Sequence, residues 1–490
     1  MRLIHFKGPP MKPLIFALVC LFTAAAPAQT IDPELVSQLR ARARTDVLVY
    51  LGERQAVRFP EILKSVLLSR KDRISWVRDQ LVTDAELLQA PLLGLLREKG
   101  IGHRAFYIEN VVLVRDVDEE LLSQLARTPH VRELRPDRQA ALKLPPVIRG
   151  RSVDTGTPGH LAMIRVDQVW SELGVKGAGI TVAGQDTGYF WEHDALKQQY
   201  RGYSASGTDH NYHWHDATDA KAARPIDDHS HGTHTMGTMV GFDGKDERIG
   251  VAPAAKWIGC RNMLKGVGKV STYLGCFEFF LAPYPFGGDP QTSGRPDLAP
   301  HIVNNSWACP PKEGCKGDEF LVAVRALRAA GIFVVNVAGN EGPNCASVAE
   351  PPGSYAGELF TVGAYNRYTR DAASFSSRGP SAFNQGLAPN LVTPGDIIRS
   401  AVTGRANRYD DKAGTSMAAP QVAGVVALLW SAHPELIGQI ERTTEILEKS
   451  AKPLTSSQSC GRFVGSQIPN AVMGYGMLDA YAALELARQR

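Results

Sequence analysis

The chain has 490 residues, more than one hydrophobic core usually serves, so two folded units are expected, one of them large. Lys plus Arg is 54 against 50 for Asp plus Glu, a net charge of +4. No stretch interleaves basic and aromatic residues as a phosphate-tracking groove would, which argues against a nucleic-acid partner.

In chain order, Arg2, Lys7 and Lys12 precede the apolar run PLIFALVCLFTAAA, and Ala26-Pro27-Ala28 places small residues around a cleavage point. This predicts a signal peptide over residues 1–28, with Gln29 opening the exported product, secreted or periplasmic. A lipoprotein anchor at Cys20 is opposed by Val19, where a small residue is wanted. No later run approaches the ~20 apolar residues of a membrane span, so no membrane contact is expected once the signal is removed. Loss of Cys20 leaves Cys260, Cys276, Cys309, Cys315, Cys345 and Cys460. An even number suits an oxidising compartment. The pairing is open except where the tight loop CPPKEGC sets Cys309 against Cys315. The absence of any C-x-x-C pair opposes a zinc knot.

The strand-like run TDVLVYL begins at Thr45; a charged and apolar helical stretch to Lys99, AFYIENVVLV, the helix DEELLSQLART and VREL follow. Residues 29–141 therefore read as a small α+β unit, and 142–158, rich in Pro, Gly and Arg, as an exposed linker. Over 159–490 the strands GITVAGQD, KWIGCRNM, HIVNNSW, GIFVVNVAGN and LFTVGA are almost continuously apolar and alternate with helical stretches such as FLVAVRALRAAG and SMAAPQVAGVVALLW. Strands without polar alternation are buried on both faces, which predicts an α/β unit with a parallel sheet and helices on each side. Ligands of such sheets bind beyond the carboxyl ends of the strands, where Asp186 and Asn340 fall.

Several stretches carry chemistry. DDHSHGTHTMG holds three histidines, but the glutamate and spacing of a zinc-binding H-E-x-x-H are missing, and His229 and His234 read as histidines satisfied by local hydrogen bonds. DTG occurs at Asp154 and Asp186, too close together to come from two lobes of an aspartic protease, with the first copy in the linker. GVGKVS lacks the spacing of a phosphate loop. GTSMAAP places Ser416 at a helix start, where serine ordinarily caps. A nucleophile-elbow hydrolase needs serine, acid, then histidine, and no Asp or Glu lies between Ser416 and His433. What remains is the order Asp186, His231, Ser416. An imidazole takes the serine proton, a carboxylate fixes its tautomer, and N–H groups at the helix start meet an oxyanion. Asn340 in AGNEGP can add an amide donor.

ITVAGQDTGYF, HSHGTHTMGTMVG, GVAPAAKW, VAGNEGP, FSSRGP, TPGDI and GTSMAAPQVAG stand in the order found in subtilisin-like serine proteases. Gly159 to Ala487 resembles that family, and HIVNNSW with RALRAAGIFVVNVAGNEGP looks most like its bacillopeptidase F branch. The resemblance implies a subtilisin-like fold and serine endopeptidase activity through an acyl-enzyme. It further implies Asp186, His231 and Ser416 as triad, Asn340 as oxyanion donor, and Asn305 and Ser306 at the substrate. VVLVRDVDEELLSQLARTPHVRELRPD is similar to the family's inhibitory, ferredoxin-like prodomain, which implies a self-processing zymogen whose prodomain is an intramolecular inhibitor. The competing reading of that unit is a permanent binding module, and of the whole chain a catalytically silent scaffold. Polypeptide substrates, a monomer, and catalysis without a cofactor are expected. Structural calcium is common in the family, but the acidic residues here are too scattered to assign a site. Gln185 and Ala308 stand where the family more often has an apolar residue and glycine. In PNCASVAEPPGSY, which the resemblance places at the pocket for the residue before the scissile bond, Glu350 is the one charge. Buried there, it would favour a substrate Lys or Arg. Pointing to solvent, as most glutamates do, it would leave a broad apolar pocket.

Overall fold

The computed structural model describes residues 30–52, 69–142, 144–145, 158–311 and 315–489. The expected signal, Lys143, Arg149, Arg151 and most of the expected linker lie outside them.

The N-terminal unit comprises β1 (Thr30–Ile31), α1 (Pro33–Arg42), β2 (Thr45–Leu51), α2 (Arg70–Glu98), β3 (His103–Phe106), β4 (Val111–Val117), α3 (Glu119–Arg127), β5 (Val131–Pro136) and β6 (Gln139–Ala141). Its five-stranded sheet runs β1-β5-β2-β4-β3, antiparallel apart from the β1–β5 pair. Successive side chains of a strand point to opposite faces. Val47, Val49, Val112 and Val114 enter a core shared with Leu35, Leu39 and Leu125 of the unit's own helices. Leu48, Tyr50, Val111 and Leu113 enter a different core, together with Tyr273, Leu274 and Phe277 of the C-terminal unit. The continuous apolar character of TDVLVYL thus reflects two covered faces, one of them covered by the other unit.

The C-terminal unit is α/β. The strands β7 (Thr181–Asp186), β8 (Trp214–Asp216), β9 (Lys256–Arg261), β12 (Ile302–Asn305), β13 (Phe333–Val337), β14 (Phe360–Asn366) and β16 (Leu391–Pro394) form a parallel sheet in the order β8-β9-β7-β12-β13-β14, with β16 also on β14. The short β15 (Asp371–Ala372) joins β14 antiparallel, a departure from the purely parallel expectation. Val182, Trp257, Ile302 and Val335 face a core with α4 (His231–Val240) and α7 (Thr415–Ala432). Their neighbours Ala183, Ile258, Val303 and Val334 face the other core, with α5 (Val270–Leu281) and α6 (Leu321–Ala329). The apolar α7 reaches the length of a membrane span, but almost all of it is buried inside this core.

Three carboxylates, of which Glu109 and Glu278 are buried, join the units at backbone ends. Glu109 accepts N–H groups of Val322 and Ala323 at the start of α6 (3.2 and 3.0 Å). Asp137 accepts the N–H and hydroxyl of Ser271 at the start of α5 (3.1 and 2.6 Å). Each meets helix-terminal donors that the helix itself leaves unpaired. Glu278 on α5 accepts the N–H groups of Tyr107 and Ile108 (2.6 and 3.4 Å). Beyond β5, β6 pairs antiparallel with β11 (Val267–Lys269), which pairs with β10 (Met263–Leu264). The six cysteines form Cys260–Cys276, Cys309–Cys315 and Cys345–Cys460; the second is the expected short loop.

Candidate active site

Asp186 ends β7 at the carboxyl edge of the sheet, and His231 opens α4. The His231 Nδ1 lies 2.7 Å from Asp186 Oδ1, with both side chains buried. The same oxygen accepts the Thr187 N–H at 2.7 Å, and Thr235 Oγ1 donates to Asp186 Oδ2 at 3.2 Å. These bonds leave the carboxylate one orientation, which sets the Nδ1–H tautomer and leaves Nε2 as the basic nitrogen. Nε2 is buried without a hydrogen-bond partner among the described residues. Such close approach depends on Gly232, where a Cβ would lie 2.1 Å from the Gly188 carbonyl oxygen and 3.0 Å from Asp186 Cβ.

Ser416 stands in the first turn of α7, which packs directly against α4. Gly414 ahead of it holds φ at +144°, a conformation that L side chains rarely adopt. The Ser416 hydroxyl donates to the Ser306 carbonyl at 3.1 Å, and Ser306 Oγ donates to the Ser416 carbonyl at 3.0 Å, so the loop after β12 grips the helix start. Asn340, beyond the end of β13, fixes its amide through Oδ1, which accepts the Thr415 N–H (3.0 Å) and hydroxyl (2.9 Å). The Nδ2 group is thereby turned toward Gly414, 3.7 Å from where a Cβ there would sit. A cleft joins Ser416 and Asn340 to Ser306, Trp307, Ala308 and Glu350. Ala141 and Leu142, at the end of the N-terminal unit, line the same cleft. Asn340 and the start of α7 thus border the same cleft.

The other singled-out residues fall elsewhere. Asn305 does not line the cleft; its Oδ1 accepts Gln185 Nε2 at 3.0 Å, while Asn262 Nδ2 donates to Gln185 Oε1 at 3.0 Å. Gln185 thus ties three strand ends beneath Asp186, a reason for a polar residue at that place. His234 is buried, donating through Nε2 to the Ile398 carbonyl at 2.9 Å, and burial holds its pKa well below the ordinary imidazole value. Burial, then the neighbouring His231, also lowers the pKa of His229. Among the described residues no group of three or more His, Cys, Asp or Glu side chains is arranged to hold a metal ion.

One residue that sequence reasoning passed over organises the histidine loop. Asp227 Oδ1 accepts the Thr187 hydroxyl and the N–H groups of His229 and Ser230 (each 2.9 Å), and Oδ2 accepts the N–H and hydroxyl of Thr233 (3.0 and 2.6 Å). Thr187 Oγ1 in turn accepts the Gly232 N–H at 3.0 Å, so Asp227 is coupled to the Asp186–His231 pair through one hydroxyl. An aspartate two residues before a backbone donor it caps is the signature of an Asx turn, and that signal was readable in DDHSHGT.

Comparison with known proteins places these features in context. Residues 177–476 match the Subtilase family. The chain is similar to Bacillopeptidase F of Bacillus subtilis (strain 168), 35% identical over 427 residues, which is 82% of this chain and 28% of that protein. It therefore spans little more than a quarter of that relative's length. It is also similar to an intracellular serine protease of Paenibacillus polymyxa, 29% identical over 307 residues covering 60% of this chain and 82% of that protein. The major intracellular serine protease of Bacillus subtilis (strain 168) is 28% identical over 334 residues, 68% of this chain and 90% of that protein.

Proposed function

Because the chain belongs to the subtilase family of serine peptidases, we propose that it is an exported serine endopeptidase, made as a self-processing zymogen. The buried 2.7 Å contact between Asp186 and His231, with Ser416 on the helix packed beside it, carries this reading.

His231 Nε2 takes the Ser416 proton as Oγ attacks the peptide carbonyl, and Asp186 stabilises the imidazolium. For this step the hydroxyl turns from the Ser306 carbonyl to the imidazole. The oxyanion is met by Asn340 Nδ2 and the Ser416 N–H. Collapse of the tetrahedral species breaks the C–N bond, His231 protonates the leaving amine, and water then hydrolyses the acyl-enzyme by the same exchange. Each step uses groups of the chain and its polypeptide substrate, without a cofactor.

The zymogen reading is supported by the path of the chain near Ser416. With β6 on β11, the Leu142 N–H donates to the Gly266 carbonyl at 2.8 Å, so the N-terminal unit lays its last strand into the cleft. That is the position of a bound product and of an inhibitor. The succession β2-α2-β3-β4-α3-β5 and the order β5-β2-β4-β3 support a ferredoxin-like prodomain. Three disulfides are consistent with a secreted or periplasmic site of action.

A phosphonylating reagent should label Ser416 of the mature protein and abolish casein hydrolysis, and Ser416→Ala should accumulate with its N-terminal unit attached. A folded mature protein that hydrolyses casein without serine labelling would refute the mechanism. Normal processing of Ser416→Ala in a host lacking related proteases would refute self-cleavage.

A further inference from the structure

A second cavity, of about 440 Å³, lies away from Ser416 at the other end of the sheet. Its size is that of a small-molecule site. Lys176 and Ala254, which line it, stand shortly before β7 and β9, whereas Asp186 ends β7. The six residues of β7, about 20 Å of strand, therefore separate it from the catalytic edge.

One wall is helical, Val166–Gln168 continued by Val169–Leu173. Asp167 and Trp170, three residues apart, share the face that borders the cavity. The Trp170 Nε1–H donates to the Val251 carbonyl at 3.0 Å, which fixes the indole. Phe242 and Arg248 come from the segment that follows α4. The Phe242 N–H donates to the Ala195 carbonyl at 2.9 Å, and its carbonyl accepts Gln199 Nε2 at 3.0 Å. The Arg248 guanidinium lies over the Phe242 ring, 5.9 Å from its centroid. The Lys176 carbonyl accepts the Ala254 N–H at 2.8 Å. These bonds hold the walls in shape. Lys176 and Arg248 are exposed, and among the described residues neither ammonium nor guanidinium has a carboxylate within ion-pairing distance. Asp167 lines the same cavity without pairing to either.

We propose that this cavity binds a zwitterionic aromatic peptide of one or two residues, with its carboxylate on Lys176 and Arg248, its ammonium on Asp167 and its ring against Trp170 and Phe242. Two cations and one carboxylate around aromatic walls match a ligand that carries one charge of each sign and an apolar body. The cations reach the ligand carboxylate through charge-assisted hydrogen bonds. A ring beside the fixed indole gains contact area and favourable edge geometry. A second negative charge on the ligand, as on a phosphate monoester, meets Asp167 and is disfavoured. The inference concerns binding alone and does not depend on the peptidase reading.

The test is calorimetric titration of the full chain carrying Ser416→Ala, in which Ala141 and Leu142 lie in the other cleft and no hydrolysis at that serine enters the heats. Glycyl-phenylalanine should bind as one equivalent with Kd below about 1 mM. Glycyl-phenylalaninamide, N-acetylglycyl-phenylalanine and glycyl-alanine each lack one of the three features, and each should bind at least ~5-fold more weakly. Lys176→Gln combined with Arg248→Gln should weaken glycyl-phenylalanine at least ~10-fold and leave the amide as it binds to the unsubstituted cavity. Asp167→Asn should abolish the difference between the free and the acetylated amine. The inference is overturned by an amide that binds as tightly as the acid, by an unchanged Kd in the double variant, or by adenosine monophosphate binding more tightly than the dipeptide. Absence of saturable binding up to about 10 mM would overturn it as well. Each of these outcomes leaves the peptidase reading intact, because Ser416 takes no part in the titration.

Discussion

Glu278 should loosen the contact between the two units as pH rises from about 4.5 to about 7. Glu278 is fully buried on α5, with Oε1 accepting two N–H groups of the N-terminal unit and Oε2 without a hydrogen-bond partner among the described residues. Burial raises its pKa from 4.5 to about 7, Asp289 adds to the rise, and Arg104 with the Tyr107 and Ile108 N–H groups offsets only part of it. Departure of the N-terminal unit removes those two N–H groups and Arg104 and returns the carboxyl to water, so its pKa falls back toward 4.5. The complex then holds a proton that the separated parts release. Through this carboxyl alone, association is tightest below about 4.5, weakens by up to ~10-fold per pH unit to about 7, and levels off above it. The full difference is on the order of 3 kcal/mol, at least a ~100-fold change in Kd. His215 works in the opposite sense. It is stacked on Phe279, bonded to the Tyr284 hydroxyl, and held neutral by burial and then by Arg104. Because His215 is common to wild type and variant, a comparison with Glu278→Gln cancels it. Glutamine keeps an acceptor for the two N–H groups and removes the titration. The assay is the inhibition constant of separately produced residues 29–142 against mature wild-type and Glu278→Gln enzyme, between about pH 4.5 and 8. The ratio of the two constants should change by ~100-fold or more across that window. A ratio independent of pH would refute the reasoning.

Asn340→Ala should lower kcat by about 10²- to 10³-fold, the loss found for such a donor in subtilisin, with KM nearly unchanged; steady-state kinetics on one peptide decide it. Asp227→Asn turns an amide donor toward a backbone N–H or hydroxyl that now meets a carboxylate oxygen. It should cost about 2–3 kcal/mol of stability in denaturant titrations and lower kcat more than it raises KM. An unchanged kcat would show that the histidine loop does not need this anchor. Cys345→Ser opens a loop spanning 115 residues. It should cost about 2–5 kcal/mol and lower the thermal midpoint, whereas an unchanged midpoint would show that the loop is held by packing alone.

What was legible in the sequence follows from how local its causes are. The strands of the C-terminal sheet were legible because two covered faces leave no polar alternation, and Val182 and Ala183 do enter opposite cores. The same reasoning could not say what covers each face of β2. Leu48 and Tyr50 look alike in sequence whether they meet helices of their own unit or Tyr273 and Phe277 of another, so the shared core was invisible. Cys309–Cys315 was legible because a short loop allows few partners, while Cys345–Cys460 depends on where two distant segments come to rest. At the site, Asp186, His231 and Ser416 stood in readable motifs, but the bonds that orient them did not. Asp186 is held by Thr187 and Thr235, the histidine loop by Asp227, and the Asn340 amide by Thr415. These partners are small polar residues of ordinary composition, and each acts by accepting or donating at one angle. Reactivity requires particular side chains and so leaves a motif. Orientation requires only a donor or acceptor at the right place, which many residues can supply, and it becomes readable when the chain is folded around it.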